Sequence, residues 1–299
     1  GREMRLAVGN SHFPVEQTEA WERFEEAMGR PLWGRYLYED EGKPVAAIAL
    51  YRYEMGGQTF LWAKHGPVWL KEQSPEREAH LRRLLRSVVK ERDRSVRFIR
   101  MHARYGAADL RELLSTITYD RTYVIDLTPK TPEKIAAVMP KDGRRAVKRA
   151  ERVAREAGCT ISDETGLSRE EFDQVYEVLR ETAERDGFKP HDAEVYWTML
   201  TSLGEKNARL FVLRKDGVPH AWDLILTSGK DSVAYYGASS NESRTFRGAE
   251  ALDWWAACTL AQEGYRGLDL MGAGSTRVPS LYTVGQYKKR YAQHVTEVD

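Results

Sequence analysis

Two distant stretches of this chain repeat one rhythm. "YLYEDEGKPVAAIALYRYEMGGQTFLWAKHGP" (36–67) and "FVLRKDGVPHAWDLILTSGKDSVAYYGAS" (211–239) each read as strand, charged Gly turn with a nearby Pro, strand, Gly turn, and a strand with an aromatic end. Glu41-Gly42, Gly56-Gly57, Asp216-Gly217 and Gly229-Lys230 suit the left-handed backbone of tight hairpins, so both stretches should fold as antiparallel strands. They lie about 170 residues apart, too far for a solenoid and right for a duplicated domain. The expected class is α+β, with two tandem domains that each carry a mixed or antiparallel sheet flanked by helices.

The remaining elements fit two such domains, 1–121 and 122–299. "QTEAWERFEEAMG" has Trp21, Phe24 and Met28 at helical spacing before a Gly stop. Residues 75–94 read as a charged helix with Leu81, Leu84, Leu85 and Val88 on one side, followed by a strand "SVRFIRMHA" and a short helix "AADLRELLSTI". The order of elements then restarts with a strand over 122–127 and a helix over 132–139. Pro140 and Gly143 mark a joint to the next helix. Helices at "REEFDQVYEVLRETAERDG" and "AEVYWTMLTSLG", the three strands of the repeat, the apolar helix "GAEALDWWAACTLAQEG" and the short strand "GLDLMGAG" complete the second domain.

Hydrophobic residues make up 41% of the 299 positions, enough for a substantial core, while 46 Lys+Arg nearly cancel 45 Asp+Glu. A polyanionic partner must therefore be met by a local patch. The clearest is 141–155, where Lys141, Arg145, Lys148, Arg152 and Arg155 follow helical spacing along one side, with Val147, Ala150, Ala154 and Ala157 on the other. Such a face is either solvated or aimed at phosphate. The arginines of 75–100 alternate with acids and read as surface, and "AKHGPVW" reads as a turn. The two cysteines, Cys159 and Cys258, suggest neither a disulfide framework nor a zinc pair. The start "GREMRLAVGN" lacks a signal peptide's apolar core, Met4 is the expected natural beginning, and no run approaches the roughly 20 apolar residues of a membrane span. The expected location is cytoplasmic.

Recognised catalytic motifs are absent: the chain has no His-Glu-x-x-His, Cys-x-x-Cys, P-loop or Gly-x-Ser-x-Gly, so no metal and no cofactor is expected. "LDLMGAG" sets Asp269 between apolar neighbours, ahead of glycines that permit a close approach to the backbone or simply turn it. An acetyl-CoA cradle would fall at "TFRGAEAL", where Thr245 and Glu250 stand at positions wanting Arg or Gln and a small residue. Glu250 would repel a pyrophosphate.

Taken in order, "QTEAWERF", "YLYEDEGKPVAA", "WAKHGPV", "DLT", "KDGRRAVKRAER", "LFVLRKDGVPHAW", "YYGASS", "GLDLMGAG" and "YKKRY" resemble the Fem-type (FemABX) family of non-ribosomal peptidyltransferases across nearly the whole chain. The resemblance implies two GNAT-like domains, the first completed by residues after about 292. It also implies transfer of an aminoacyl group from aminoacyl-tRNA to the side-chain amine of a peptidoglycan precursor's stem peptide, the precursor being UDP-linked or lipid-linked. The family's terminal Phe-Lys-x-x-Phe-Gly motif falls on Tyr287, Lys288, Lys289, Arg290, Tyr291 and Ala292, with Ala292 departing from the glycine. The resemblance places Lys288 near the reacting ester. It assigns Arg23, Lys64, Lys230, Tyr236 and Tyr287 to substrate binding and leaves the 141–155 cations for tRNA. No coiled-coil arm is present, which resembles the short form that adds the first bridge residue. The protein is then a monomer that works near the membrane when the acceptor is lipid-linked. Three further readings stay open: a tRNA-dependent enzyme tailoring a secondary metabolite, an acyl-CoA N-acyltransferase, and a noncatalytic RNA- or cell-wall-precursor-binding module.

The chemistry is consistent with this set of residues. An amine attacking an aminoacyl ester creates an oxyanion, which a fixed ammonium stabilises in the transition state. The ester is already activated, so positioning and electrostatics can suffice without a dedicated nucleophile. Asp269 or a substrate phosphate can take the amine's proton.

Overall fold

The computed structural model describes residues 13–111, 119–292 and 294–298. The chain divides into two compact units, Gly1–Leu114 with Asp299, and Ser115–Val298.

In the first unit, one turn of 3-10 helix leads into α1 (Glu19–Ala27), which buries Ala20, Trp21, Phe24 and Glu25. β1 (Leu32–Asp40) and β2 (Lys43–Met55) pair antiparallel around Glu41-Gly42, and β2 pairs with β3 (Gln58–Trp62) around Gly56-Gly57. All four turn residues take positive φ, between 50° and 73°, as the hairpin reading required. β4 (Val68–Trp69) also joins β2. α2 (Pro75–Arg92) starts with the Ser74 hydroxyl accepting from the Arg77 N–H at 3.3 Å, and β5 (Val96–Arg100) returns parallel to β3.

The buried stripe of α2 differs from the expected one. Leu81, Leu85 and Val89 enter the core, Leu84 is 43% exposed, and Val88 lies outside the buried set. Two buried charges explain the rotation: Glu78 and Arg82 pair at 3.4 Å, and Arg82 reaches Asp109 at 3.0 Å. A hydropathy stripe cannot register an ion pair that occupies core positions. Of the helix expected over 107–117, Ala107 to Leu110 close a single turn, Arg111 is irregular, and the rest lies outside the described residues.

The second unit is built on a seven-stranded sheet. Its elements are β6 (Arg121–Asp126), α3 (Pro132–Val138), α4 (Lys141–Glu156), β7 (Cys159–Asp163), α5 (Arg169–Asp186), α6 (Ala193–Leu203), β8 (Ala208–Lys215), β9 (Val218–Ser228), β10 (Asp231–Ser239), α7 (Gly248–Gln262), β11 (Gly267–Gly272), α8 (Tyr282–Lys288) and β12 (Val295–Glu297). The spatial order is β12-β6-β11-β10-β9-β8-β7, antiparallel except where β10 and β11 run parallel. β8 and β9 are nearly continuous apolar runs because both faces of the sheet are covered. Phe211, Leu213, Ala221 and Ile225 join the core formed with α4 and α7. Leu210, Val212, Leu224 and Leu226 alternate to the other face, where α5 and α6 lie.

One strand was not anticipated and two readings need correction. β7, short and polar at the sheet edge, carries too little alternation to be seen in sequence. Gly143 lies inside α4, which begins directly after Pro140. The strand after residue 292 pairs with β6 of the second sheet, through Val295↔Tyr123 and Glu297↔Arg121, and adds nothing to the first sheet. Sheet pairing depends on which edge is free, and local residues do not encode that.

Candidate functional site

The parallel pair β10–β11 holds register only from Asp231↔Gly267 to Val233↔Asp269. β10 continues along β9 to Ser239, whereas β11 bulges against β6 between Asp269 and Gly272. Met271 takes φ 60° at the bulge, and its N–H donates to Asp269 Oδ1 at 2.7 Å. The Thr122 hydroxyl donates to the same oxygen. The strands thus part just where the glycines of "MGAG" begin.

Those glycines serve the chain's own packing. A Cβ at Gly274 would stand 2.6 Å from Tyr282 backbone atoms, and one at Gly285 would stand 3.0 Å from the Gly274 nitrogen. Their absence lets α8 lie directly on the exit of β11. The Lys288 ammonium consequently donates to the Gly272 carbonyl at 2.9 Å. Burial lowers its pKa to about 8, against the opposing pull of Asp269 and Asp253. Lys288 and Asp269 are therefore electrostatic neighbours.

Tyr287 turns the other way and donates its hydroxyl to Asp253 Oδ2 of α7 at 2.6 Å, while its ring meets Tyr291 edge-on at 5.2 Å. Asp253 lies within hydrogen-bonding reach of Asp223 of β9, and burial pushes both carboxyls upward. Gly237 faces Asp223 on the adjacent strand, and a Cβ there would come within 2.8 Å of Asp223 Oδ1. Sequence reading passed over both carboxyls. The available signal was a lone Asp in each of two apolar runs, "HAWDLIL" and "ALDWWAA", since a carboxylate at a core position needs a partner.

The other candidates separate. The Lys230 side chain is exposed in the β9–β10 turn, where its carbonyl accepts from the Arg266 N–H at 2.8 Å. That is the end of β10 away from Tyr236, roughly 20 Å along an extended strand. Tyr236 packs on Tyr196 of α6 at 4.8 Å, on the face opposite Asp253. Along α4, Lys141, Arg145, Lys148, Arg152 and Arg155 are all exposed, and Arg152 pairs with Glu156 at 3.1 Å. The helix begins beside the Lys288 segment: a Cβ at Gly143 would lie 1.7 Å from the Arg290 carbonyl oxygen, so only glycine admits that approach.

In the first unit, Arg23 is exposed on α1. Lys64 lies over Trp62 at 4.6 Å, Trp21 at 5.3 Å and Tyr53 at 5.5 Å, with its ammonium 3.5 Å from the buried Glu25. Glu25 also accepts from Trp21 Nε1 at 2.9 Å and the Tyr53 hydroxyl at 2.6 Å. Desolvation lowers the Lys64 pKa despite Glu25. Sequence reading missed Glu25, which anchors this box.

Residues 141–289 match the family model described as "Acetyltransferase (GNAT) domain". The second unit is a GNAT-type acyltransferase domain. Over the whole chain, the crystal structure of FemX superposes with a TM-score of 0.76 at 16% identity, covering 98% of this chain and 92% of that one. The Fem-type fold is thus shared from end to end. The structure of L-PGS from Bacillus licheniformis is more distant, with a TM-score of 0.53 at 14% identity, over 88% of this chain and 80% of that one. No curated protein matches the chain.

A GNAT domain implies acetyl-CoA, whose pyrophosphate would need the N-terminus of α7. There Glu250 pairs with Arg247 and approaches Arg290 at 3.8 Å, which puts a carboxylate in the first turn where the phosphates would sit. The residues present do not fit the cofactor. Among the described residues no cluster of His, Cys, Asp and Glu could hold a metal ion, and no helix is long and apolar enough to cross a membrane.

Proposed function

We propose that this GNAT-type transferase moves an aminoacyl group from aminoacyl-tRNA to the side-chain amine of a peptidoglycan precursor's stem peptide. The observation that carries the reading is the Lys288 ammonium, half-buried and held on the Gly272 carbonyl beside Asp269. The acceptor amine attacks the ester carbonyl, a C–N bond forms, and negative charge collects on the former carbonyl oxygen. Lys288 stabilises that oxyanion. Asp269 or a substrate phosphate receives the amine's proton, and collapse breaks the ester bond as that proton passes to the departing ribose oxygen, which leaves as a hydroxyl.

Two further features support a tRNA donor. The exposed cations of α4 start next to the Lys288 segment, where the charged end of a tRNA would have to arrive. Glu250 at the α7 N-terminus disfavours a CoA thioester. Arg23, Lys64, Lys230, Tyr236 and Tyr287 remain the proposed substrate-binding set, and the protein is proposed to act as a cytoplasmic monomer.

Mass spectrometry of precursor incubated with a mixed pool of charged tRNAs tests the reading, since the mass gain identifies the donor. Lys288→Met should slow transfer by about a hundredfold, the usual cost of losing one oxyanion donor. Transfer at the wild-type rate would remove Lys288 from the reaction.

A further inference from the structure

The Asp223–Asp253 pair has no place in the transfer step, yet it lies directly beneath the residue that precedes Lys288. Asp223 is 8% exposed, and no described N–H or O–H donor reaches its Oδ2. With Asp223 buried and Asp253 half-buried, two carboxyls within hydrogen-bonding reach repel each other when both are ionised, so one proton bridges them and supplies the missing donor. A single negative charge is left on the pair. The Tyr287 hydroxyl donates to Asp253 at 2.6 Å and so fixes that charge on the side of α8.

We propose that Asp253, sharing one proton with Asp223, is a positioning residue that clamps the last turn of α8 through Tyr287 and so holds the Lys288 ammonium charged on the Gly272 carbonyl. Lys288 needs such a clamp because it closes a helix of only seven residues, and the glycines beneath supply contact without side-chain anchors. Among the described residues, the charged and titratable groups around this end of α8 are Asp269 from β11, Asp253 and Glu250 from α7, Arg247 ahead of α7, and Tyr287, Lys289, Arg290 and Tyr291 of the segment itself. Of the carboxylates, Asp269 and Asp253 act on Lys288. Asp223 lies behind Asp253, so moving the charge from one to the other changes what Lys288 experiences. The inference rests on Lys288 being the reacting ammonium, as proposed above, but its geometry can be tested without substrate.

The test reads the ionisation of Lys288 in the full-length protein by pH-dependent competitive acylation and mass spectrometry, alongside steady-state transfer. Asp253→Asn transfers the negative charge to Asp223 and should move the Lys288 midpoint to lower pH, with kcat falling at least tenfold and KM little changed. Asp223→Asn leaves the charge on Asp253 with an amide donor in place of the shared proton, so the Lys288 midpoint should stay where it is. Tyr287→Phe keeps the carboxyl pair and removes the clamping hydroxyl, so kcat should fall with KM little changed, whereas loss of a substrate contact would raise KM, and the labelling midpoint should move less than in Asp253→Asn. Equal midpoints in wild type and Asp253→Asn, or equal shifts in Asp253→Asn and Asp223→Asn, would overturn the proposal. If Asp253→Asn does not fold, unchanged kcat in Tyr287→Phe does the same. A wild-type protein that transfers nothing, with the midpoints moving as stated, would reject the proposed function and leave the clamp intact.

Discussion

At the scale of single residues, the site depends on charges that burial makes sensitive. Lys288 has a pKa near 8 because desolvation outweighs its two carboxylate neighbours. If it acts as the ammonium, its contribution is present below that value and lost as pH rises through it. Transfer by the wild type should therefore lose its Lys288-dependent part above about pH 8, whereas Lys288→Arg, with a guanidinium that stays charged, should keep activity to higher pH at a reduced maximal rate. A pH–rate profile of both proteins checks this, and coincident upper limbs would contradict it. Gly143 gives a second case. Gly→Ala inside a helix ordinarily stabilises by about 1 kcal/mol. Here the added carbon would strike the Arg290 carbonyl, so Gly143→Ala should instead destabilise by about 1–3 kcal/mol in chemical denaturation and reduce transfer.

At the scale of elements, α4 presents its apolar residues inward, with Val147, Ala150 and Ala154 buried, and leaves its cations outward. Reversing charge at Lys141, Arg145 and Lys148 should leave melting temperature nearly unchanged, weaken tRNA binding, and lower the slope of log Kd against log salt by about one for each phosphate that is no longer neutralised. Filter binding over a salt series measures this, and an unaltered slope would leave α4 an ordinary solvated face. The helix itself was legible in the sequence, because cations at three- and four-residue spacing opposite alanines and valine have one helical solution. The stripe of α2 was less so: Leu84 fits the pattern as well as Leu81 does, and the Glu78–Arg82–Asp109 ion pairs that turned the helix involve a residue 27 positions away.

At the scale of the whole molecule, the carboxyl pair ties stability to pH. The folded pKa of the pair is raised above the unfolded carboxylate value, so its contribution is complete below the unfolded value near 4 and declines as pH rises toward the folded value. Melting temperature should fall between mildly acidic and alkaline pH, and Asp223→Asn, which needs no shared proton, should flatten that fall. Thermal melts at several pH values decide it.

The repeat of strand and turn, the positive-φ hairpins and the amphipathic α4 could be read from local spacing, because each rests on contacts between residues close in the chain, whereas the Lys288 motif was marked only by the resemblance to the Fem-type family. The tertiary structure alone settled the rest. It joined the final strand to β6, brought Asp223 and Asp253 together across 30 positions, and set Arg290 against a glycine nearly 150 residues earlier. Those pairings answer to which edges are free and which buried charges need partners, and both are properties of the packed molecule that no local stretch of residues encodes.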